Sequence, residues 1–309
     1  MREGAVMKGV SGHIALAVAT LILSSNARGQ EPAQPEEPGG QAELAQLAKK
    51  LANPVSDVWA LFTAFDFTFN KGDLPGGDGK VSYTTLFQPI MPIKLTEDWK
   101  LITRPTLPLV WSTPVPRANA AGGIEYDRKT GIGDMLLPLV ASPNDAFEIW
   151  GGQLVGGVGP TFSFPTSTND ALGSQKWEMG PSMIAVWKNK KMTVGVFPQH
   201  WWSIANRGGH RPASNHGSYL YFFFYDLPDT WQVGFNPSIT FNAEAQSGNK
   251  WNVPIGITVA KMFRFGNLPV KIQLGGEYSV VHEDDYGKRF LIKLNIIPVI
   301  APLIKQALF

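Results

Sequence analysis

The chain has 309 residues, no cysteine and a formal net charge of +2. The lack of cysteine excludes a fold held by disulfides, and the small net charge gives no reason to expect nucleic acid as a partner. Charged residues make up 17% of the chain, below the roughly 25% of soluble domains. The chain also holds 32 glycines and 10 tryptophans. This mixture favours a β-sheet protein at a membrane interface, where only every second strand residue has to be apolar.

The N-terminus has the pattern of a secretory signal peptide. Arg2 and Lys8 precede an apolar stretch at 14–24, which is too short to cross a bilayer as a helix. Small residues then provide a cleavage site after about Ala27. We therefore expect residues 1–27 to be removed on export. Residues 28–40 are rich in proline, glycine and glutamate, which predicts a flexible linker.

Residues 41–54 are predicted to form an amphipathic helix on the periplasmic side. Leu44, Leu47, Ala48 and Leu51 recur at helical spacing, and an Asn-Pro pair ends the pattern. Such a helix could close or line the mouth of a barrel. From the sequence we favour the simpler interpretation, a short surface helix that leads into the first strand.

From residue 55 to residue 309 the period of the apolar pattern is two instead of that of a helix. In residues 231–241 the odd positions are apolar, whereas the even positions carry glutamine, glycine, asparagine, serine and threonine. Such alternation is typical of strands with one apolar and one polar face. The predicted strands are 59–69, 80–93, 99–112, 133–141, 146–164, 175–187, 192–204, 216–225, 231–243, 249–263, 269–281 and 287–299.

The connections between these strands are of two kinds. Every second one is a tight turn, such as LTED at 95–98 or KNKK at 188–191. Most of the others are longer and glycine-rich, such as 113–133 and 206–217. Short periplasmic turns and long extracellular loops are typical of outer-membrane barrels. We therefore predict an all-β protein, a transmembrane antiparallel up-and-down β-barrel of about twelve strands over 55–309, located in the outer membrane.

Eight of the ten tryptophans fall at strand ends and form two belts. Trp177 and Trp187 are ten residues apart on one face of a strand. Ten residues of a strand tilted by about 40° cover roughly 25 Å along the membrane normal, the height of the apolar band. Tryptophan prefers the two interfaces because its ring is apolar and its N–H can meet water or headgroups. The predicted girdle consists of Trp59, Trp99, Trp111, Trp177, Trp187, Trp202, Trp231 and Trp251.

The polar faces of the strands are expected to line the lumen. Charges of both signs occur there, so the sequence predicts no ion selectivity. Paired charges could also fill a barrel of this size. The candidate lumen residues are Asp66, Gln88, Arg104, Glu148, Glu178, Gln232, Asn236, Lys271, Gln273, Glu277, Arg289 and Lys293.

Three segments, 47–61, 159–182 and 251–280, resemble a family of bacterial outer-membrane proteins called "putative MetA-pathway of phenol degradation". Members are often labelled transporter or, by a transferred name, neuromedin U. The resemblance covers most of residues 47–290 and is most specific in GPTFSFPTSTNDALGSQKWEMGPS at 159–182. It implies an outer-membrane β-barrel with a role in small-molecule uptake, and it supplies no catalytic or binding residues. The chain departs from the expected pattern because residues 297–309 continue past the last strand.

We expect a channel or transporter-like barrel that passes small, aromatic or hydrophobic molecules, with no catalytic residues, metal or cofactor. Expected partners are outer-membrane lipid and lipopolysaccharide, the barrel-assembly machinery and a small solute. Two alternatives remain open. A lipid hydrolase could use His216 and Ser218, which lie two residues apart on one face of a strand. A structural or adhesive barrel would act through long loops such as 112–132 and 204–217.

Overall fold

The computed structural model describes residues 38–53, 57–209, 211–304 and 307. The signal peptide predicted at 1–27 lies outside the described residues, as do residues 28–37 of the predicted linker. Residues 41–309 form one compact unit. In the part of the chain that is described, no helix has the length and apolar character needed to cross a membrane.

Within the described residues, one α-helix precedes sixteen strands. The helix, α1, spans Pro38–Ala52, so it begins three residues earlier than predicted. The strands are β1 (Trp59–Lys71), β2 (Lys80–Lys94), β3 (Trp99–Thr103), β4 (Leu107–Ala118), β5 (Ile124–Ile132), β6 (Met135–Pro143), β7 (Phe147–Ile149), β8 (Gly152–Phe164), β9 (Lys176–Lys188), β10 (Met192–Asn206), β11 (Asn215–Asp226), β12 (Trp231–Phe235), β13 (Ser238–Asn242), β14 (Trp251–Phe265), β15 (Leu268–Val281) and β16 (Gly287–Ile300). A short 3-10 helix, Asp170–Leu172, lies between β8 and β9.

The strands form a closed antiparallel barrel of twelve spans, which confirms the predicted fold. The barrel closes because β1 pairs with β2 along one edge and with β16 along the other. Three spans each consist of two strands in line, namely β3 with β4, β5 with β6, and β12 with β13. The short strand β7 pairs only with the beginning of β8. Sixteen strands therefore make twelve spans.

Each interrupted span has a local cause. Pro105 separates β3 from β4, and Pro237 separates β12 from β13, because proline has no N–H to donate to the ladder. Between β5 and β6 the chain is held by Asp134 instead. The Asp134 carboxylate accepts the backbone N–H of Ser167 at 3.0 Å and that of Ser174 at 2.6 Å. This contact ties the wall to the connection between β8 and β9.

The connections alternate in length as predicted, with one exception. The tight turns are 95–98, 144–146, 189–191, 227–230 and 266–267. The exception is 113–133, where the predicted loop is wrong because β4 and β5 continue as an ordered hairpin. Arg117 holds the hairpin by ion pairs to Glu125 at 2.5 Å and Asp127 at 3.1 Å. The prolines of this segment are tolerated because β2 pairs with β4 only as far as Ser112, which leaves an edge.

Side chains alternate sharply between the outside and the inside of the wall. On β9, Trp177 and Met183 are each 45% exposed, whereas Glu178 is 2% and Val186 0% exposed. The outer face of β14 is also apolar, with Ile257 63% exposed. An apolar exterior on a closed barrel fits lipid, because the twelve spans pair in a closed ring and each span has a neighbour on both sides.

Five tryptophans of the predicted girdle are exposed on the strands that carry them, namely Trp99, Trp111, Trp177, Trp202 and Trp251. Trp187 and Trp231 are half-buried. The assignment of Trp59 to the exposed girdle is wrong, because its side chain is buried at the barrel seam. Its Nε1 donates to the carbonyl oxygen of Pro92 at 2.8 Å, which holds the ring against β2 instead of at the surface.

Close approach of neighbouring strands explains the glycines of β8. A Cβ atom at Gly159 would lie 1.9 Å from the carbonyl oxygen of Leu139. Since no side chain fits at that distance, this position of the wall requires glycine.

Replacing Ile257 by arginine is expected to lower the free energy of unfolding by about 2–4 kcal/mol, since it places a charge on the lipid side near the middle of a span. Chemical denaturation of the barrel in lipid vesicles, followed by tryptophan fluorescence, measures this change. Ser247→Arg, in the exposed connection before β14, is the matched control and should change it by less than about 0.5 kcal/mol. Equal effects of the two substitutions would contradict a lipid-facing Ile257.

Candidate functional site

The inward side chains of the twelve spans enclose the lumen. On β15, Lys271, Gln273, Glu277 and Ser279 are all buried and alternate with outward apolar residues. Because side chains along a strand alternate with period two, each span contributes one row of inward side chains, and on β15 that row is polar. The lumen is therefore the place where polar and ionisable groups of different strands come together.

A cavity of about 380 Å³ occupies the lumen. Its volume is in the range of about 300–1,000 Å³ found for small-molecule pockets. Seven of the candidate lumen residues line it, namely Asp66, Gln88, Arg104, Asn236, Gln273, Glu277 and Lys293. The structure thus brings together candidates from six different spans.

One side of the cavity carries a cluster of four charges. Glu277 forms ion pairs with Lys288, at 3.4 Å, and with Lys293. Asp66 lies directly opposite Lys293 in the pairing of β1 with β16. Two acids and two bases balance each other, so this cluster has no net formal charge. Lys288 was not among the sequence candidates.

A separate polar group lies where β3 ends. The guanidinium of Arg104 donates from Nη2 to Oε1 of Gln88 at 2.5 Å. Gln88 Nε2 in turn donates to Thr106 Oγ1 at 3.0 Å. The guanidinium carbon of Arg104 is 4.4 Å from the centre of the Phe62 ring, which is a cation–π contact.

The rest of the cavity wall is apolar, which the sequence did not predict. Phe197, Phe222 and Phe224 belong to a buried cluster whose other members include Ile184 and Val186, and the three phenylalanines also line the cavity. The sequence pattern that could have predicted this apolar wall is YFFFYD, the second half of β11, where both faces of the strand are apolar. Such a strand is buried on both sides, by lipid outside and by this cluster inside.

Helix α1 closes the lumen at the end that carries the tight turns. Leu44 and Ala48 pack with Met262 in a buried cluster, and Leu51 and Ala52 line the cavity. The interpretation as a surface helix is therefore wrong, and the alternative of a closed barrel mouth describes the structure. The apolar stripe of the helix finds its burial inside the barrel, against the inward residues of the wall.

Three polar contacts attach α1 to the wall. Lys271 is completely buried, and its Nζ donates to the carbonyl oxygen of Ala48 at 3.4 Å, a favourable place for a cation near the C-terminal end of a helix. The other two are ion pairs, Lys49 with Asp226 at 3.8 Å and Arg264 with Glu43 at 2.9 Å.

Lys271 is one of five candidate lumen residues that lie outside the cavity lining. Gln232 is also buried and donates to Asp226 at 2.5 Å. Glu178 is buried near the opposite end of the barrel, where it accepts from Ser214 at 2.5 Å and contacts His216 at 3.0 Å. These three residues point inward but make structural contacts.

The other two, Glu148 and Arg289, are not lumen residues, which corrects the sequence assignment. Glu148 is exposed on the short strand β7 and accepts from Gln153 at 2.7 Å. Arg289 lies over the exposed ring of Tyr278, 4.3 Å from its centre. An irregular register between β1 and β16 next to Phe290 shifts the alternation, so that Lys288 faces the cavity instead.

The residues of the hydrolase alternative also lie inside the barrel. His216 stacks on the buried ring of Trp201 and bonds to Glu178 through Nε2. Ser218 lines the cavity. Among the described residues, no hydrogen bond joins His216 to Ser218. The alternative needs the pair on the lipid-facing rim, and the structure places it on the other side of the wall.

No family model matches the chain, and no curated protein matches it. Among solved structures, the crystal structure of an outer-membrane channel from Pseudomonas putida F1 matches with a TM-score of 0.54 at 16% identity, over 79% of this chain and 96% of that chain. This chain has the fold of that outer-membrane channel. The outer-membrane phospholipase A of Escherichia coli matches with a TM-score of 0.42 at 10% identity, over 84% of this chain and 99% of that chain. That likeness is too low to carry an argument about function.

The fold and the surface together give the coarse assignment. The chain is a closed barrel with an apolar exterior and the fold of an outer-membrane channel, in keeping with a location in the outer membrane.

Because the charges of the cluster balance each other, the effects of substituting Glu277 and Lys293 on stability should be coupled. Glu277→Gln leaves two half-buried lysines opposite one acid, and we expect it to lower the free energy of unfolding by roughly 1–3 kcal/mol. Adding Lys293→Met restores the balance, so the double variant should be more stable than the sum of the two single losses implies, by at least about 0.5 kcal/mol. Chemical denaturation of the four proteins in vesicles measures the cycle.

Glu125→Gln is the matched control, since Glu125 forms its ion pair with Arg117 on the outer hairpin, where both side chains are exposed. We expect a loss of less than about 1 kcal/mol. Strict additivity of Glu277→Gln and Lys293→Met would show that the cluster does not act as one unit.

Proposed function

We propose that the barrel is a channel for small molecules that carry an apolar or aromatic part and a polar part, and that α1 is its movable plug. The observation that carries the proposal is the lumen cavity, which has a charged wall, an aromatic wall and the end of α1 as its floor. A solute of this kind would find a partner for each of its parts. Ligand sites in proteins combine an apolar surface with a few placed polar groups in this way.

The contacts of α1 suit a plug that can leave. Its two ion pairs have partly exposed side chains, and such pairs contribute about 0–1 kcal/mol each. Its buried apolar contact is small, with Leu44, Ala48 and Met262 at its centre. The wall, in contrast, is held by hydrogen-bonded ladders between all neighbouring spans, so the helix can move without loss of the barrel.

The alternatives receive less support. An outer-membrane lipid hydrolase would need His216 and Ser218 at the lipid, and their inward positions favour the channel. A structural or adhesive barrel would not require the lumen cavity. The finer family membership, in the group called "putative MetA-pathway of phenol degradation", is also a proposal, supported by the sequence resemblance and by the channel-type barrel. Lipid, lipopolysaccharide and the assembly machinery are the proposed partners of the apolar exterior.

A disulfide that fixes α1 to the wall tests whether the helix is a movable plug. The natural chain has no cysteine, so Ala48→Cys with Met262→Cys introduces a single pair within the buried cluster. Liposome swelling in arabinose and in sodium benzoate measures flux. We expect oxidation to reduce flux at least about tenfold and reduction to restore it, because the helix must move for the lumen to open.

The single variants Ala48→Cys and Met262→Cys are the controls and should not respond to oxidation. Leu44→Cys with Met262→Cys is a second pair from the same cluster. Unchanged flux through a fully cross-linked barrel would refute the role of α1 as a movable plug. Absence of flux and of single-channel current, in the reduced pair and in the natural protein alike, would refute the channel.

A further inference from the structure

We infer that Arg104 forms a binding site for organic anions, namely carboxylates that carry an apolar or aromatic body. The inference deepens the proposed function and rests on it in one respect, that the lumen cavity is part of the solute's path. It names the class of solute that the cavity prefers and the residue that selects it.

The first observation is the incomplete bonding of Arg104. Among the described residues, its hydrogen-bond acceptor is the neutral amide oxygen of Gln88, and its Nε is buried without a hydrogen-bond partner. No carboxylate of the described residues lies within 4.0 Å of the guanidinium. A buried charge without a counter-charge is costly, and the planar guanidinium can bind a carboxylate through two parallel hydrogen bonds.

The second observation is the balance of the other charges in the cavity. Asp66 and Glu277 are matched by Lys288 and Lys293 in the same lining, as the ion pairs of Glu277 show. Among the described residues that line the cavity, Arg104 is therefore the charge without a compensating partner. The cavity as a whole favours a ligand with one negative charge.

The third observation is what surrounds the guanidinium. Phe62, Leu86, Pro138 and Phe197 line the same cavity, and the Phe62 ring already lies against Arg104. Trp201 also lines the cavity, and among the described residues its buried Nε1–H has no hydrogen-bond partner. An acid with an aromatic or alkyl body would place its carboxylate on Arg104 and its body on these apolar walls.

Calorimetric titration of the purified barrel in detergent with three probes separates the two parts of the ligand. Benzoate has the carboxylate and the ring, benzyl alcohol has the ring alone, and acetate has the carboxylate alone. We expect the natural protein to bind benzoate at least about tenfold more tightly than either of the others, because benzoate alone offers both a carboxylate for Arg104 and a ring for the apolar walls.

Arg104→Gln should reduce the affinity for benzoate at least about tenfold and leave that for benzyl alcohol unchanged. Arg104→Lys keeps the charge without the two-pronged geometry, so benzoate should bind a few-fold more weakly than to the natural protein. Arg117→Gln, on the outer hairpin away from the cavity, is the matched control and should bind all three probes like the natural protein. Heat-modifiable mobility on gels verifies that each variant is folded, and Arg104→Lys serves alone if Arg104→Gln does not fold.

The inference is overturned if the natural protein binds benzoate no more tightly than benzyl alcohol, or if the Arg104 variants keep the preference. Its failure is distinct from that of the proposed function. Flux without any preference for benzoate would refute the anion site and leave the channel intact. Preferential binding of benzoate without flux would support the anion site and refute the channel.

Discussion

The pairing of β1 with both β2 and β16 is the interaction on which the rest of the structure depends. In lipid, every backbone N–H and C=O has to be satisfied within the protein, so a sheet can cross a membrane only if it has no free edge. Closure forces every span to present one face to lipid and the other to a confined interior. The apolar exterior, the polar lumen and the lumen cavity all follow from that single constraint.

Closure also leaves an interior space, and the chain fills part of it with its own residues. Twelve spans enclose more space than the inward side chains occupy, and polar residues in a poorly hydrated interior need partners. Balanced charges occupy one wall, phenylalanines of β10 and β11 occupy another, and α1 takes the end with the tight turns. The helix is amphipathic for this reason. Its leucines meet Met262 and its Ala52 meets the phenylalanine cluster, whereas Glu43 and Lys49 reach the strand ends.

The sequence predicted the features that are written in local periodicity. Trp177 to Trp187 alternates as a strand must, and the twelve spans, the tight turns and the outward and inward faces of β9 followed from that pattern. It did not predict what depends on distant contacts. The hairpin at 113–133 is ordered by Arg117 across the turn, Trp59 is buried by its bond to Pro92, and the irregular register next to Phe290 exchanges Arg289 for Lys288 in the lumen. The composition of 113–133 predicted a loop, and regular alternation along the strands placed Trp59 at the surface and Arg289 in the lumen.

Dependence on distant contacts also explains why the sequence could not separate inward residues that stabilise the barrel from those that could bind a solute. Lys271 and Arg104 are both cations on inward faces, and the sequence treats them alike. In the barrel, Lys271 is completely buried under a helix carbonyl, whereas Arg104 faces open space with one neutral acceptor and an aromatic ring. A cation that already has its partners stabilises the plug. Arg104 lies at the wall of a cavity without an anionic partner among the described residues, so it is placed to bind an anion. The lumen's preference for anions therefore follows from the partners of its cations and not from the residue type alone.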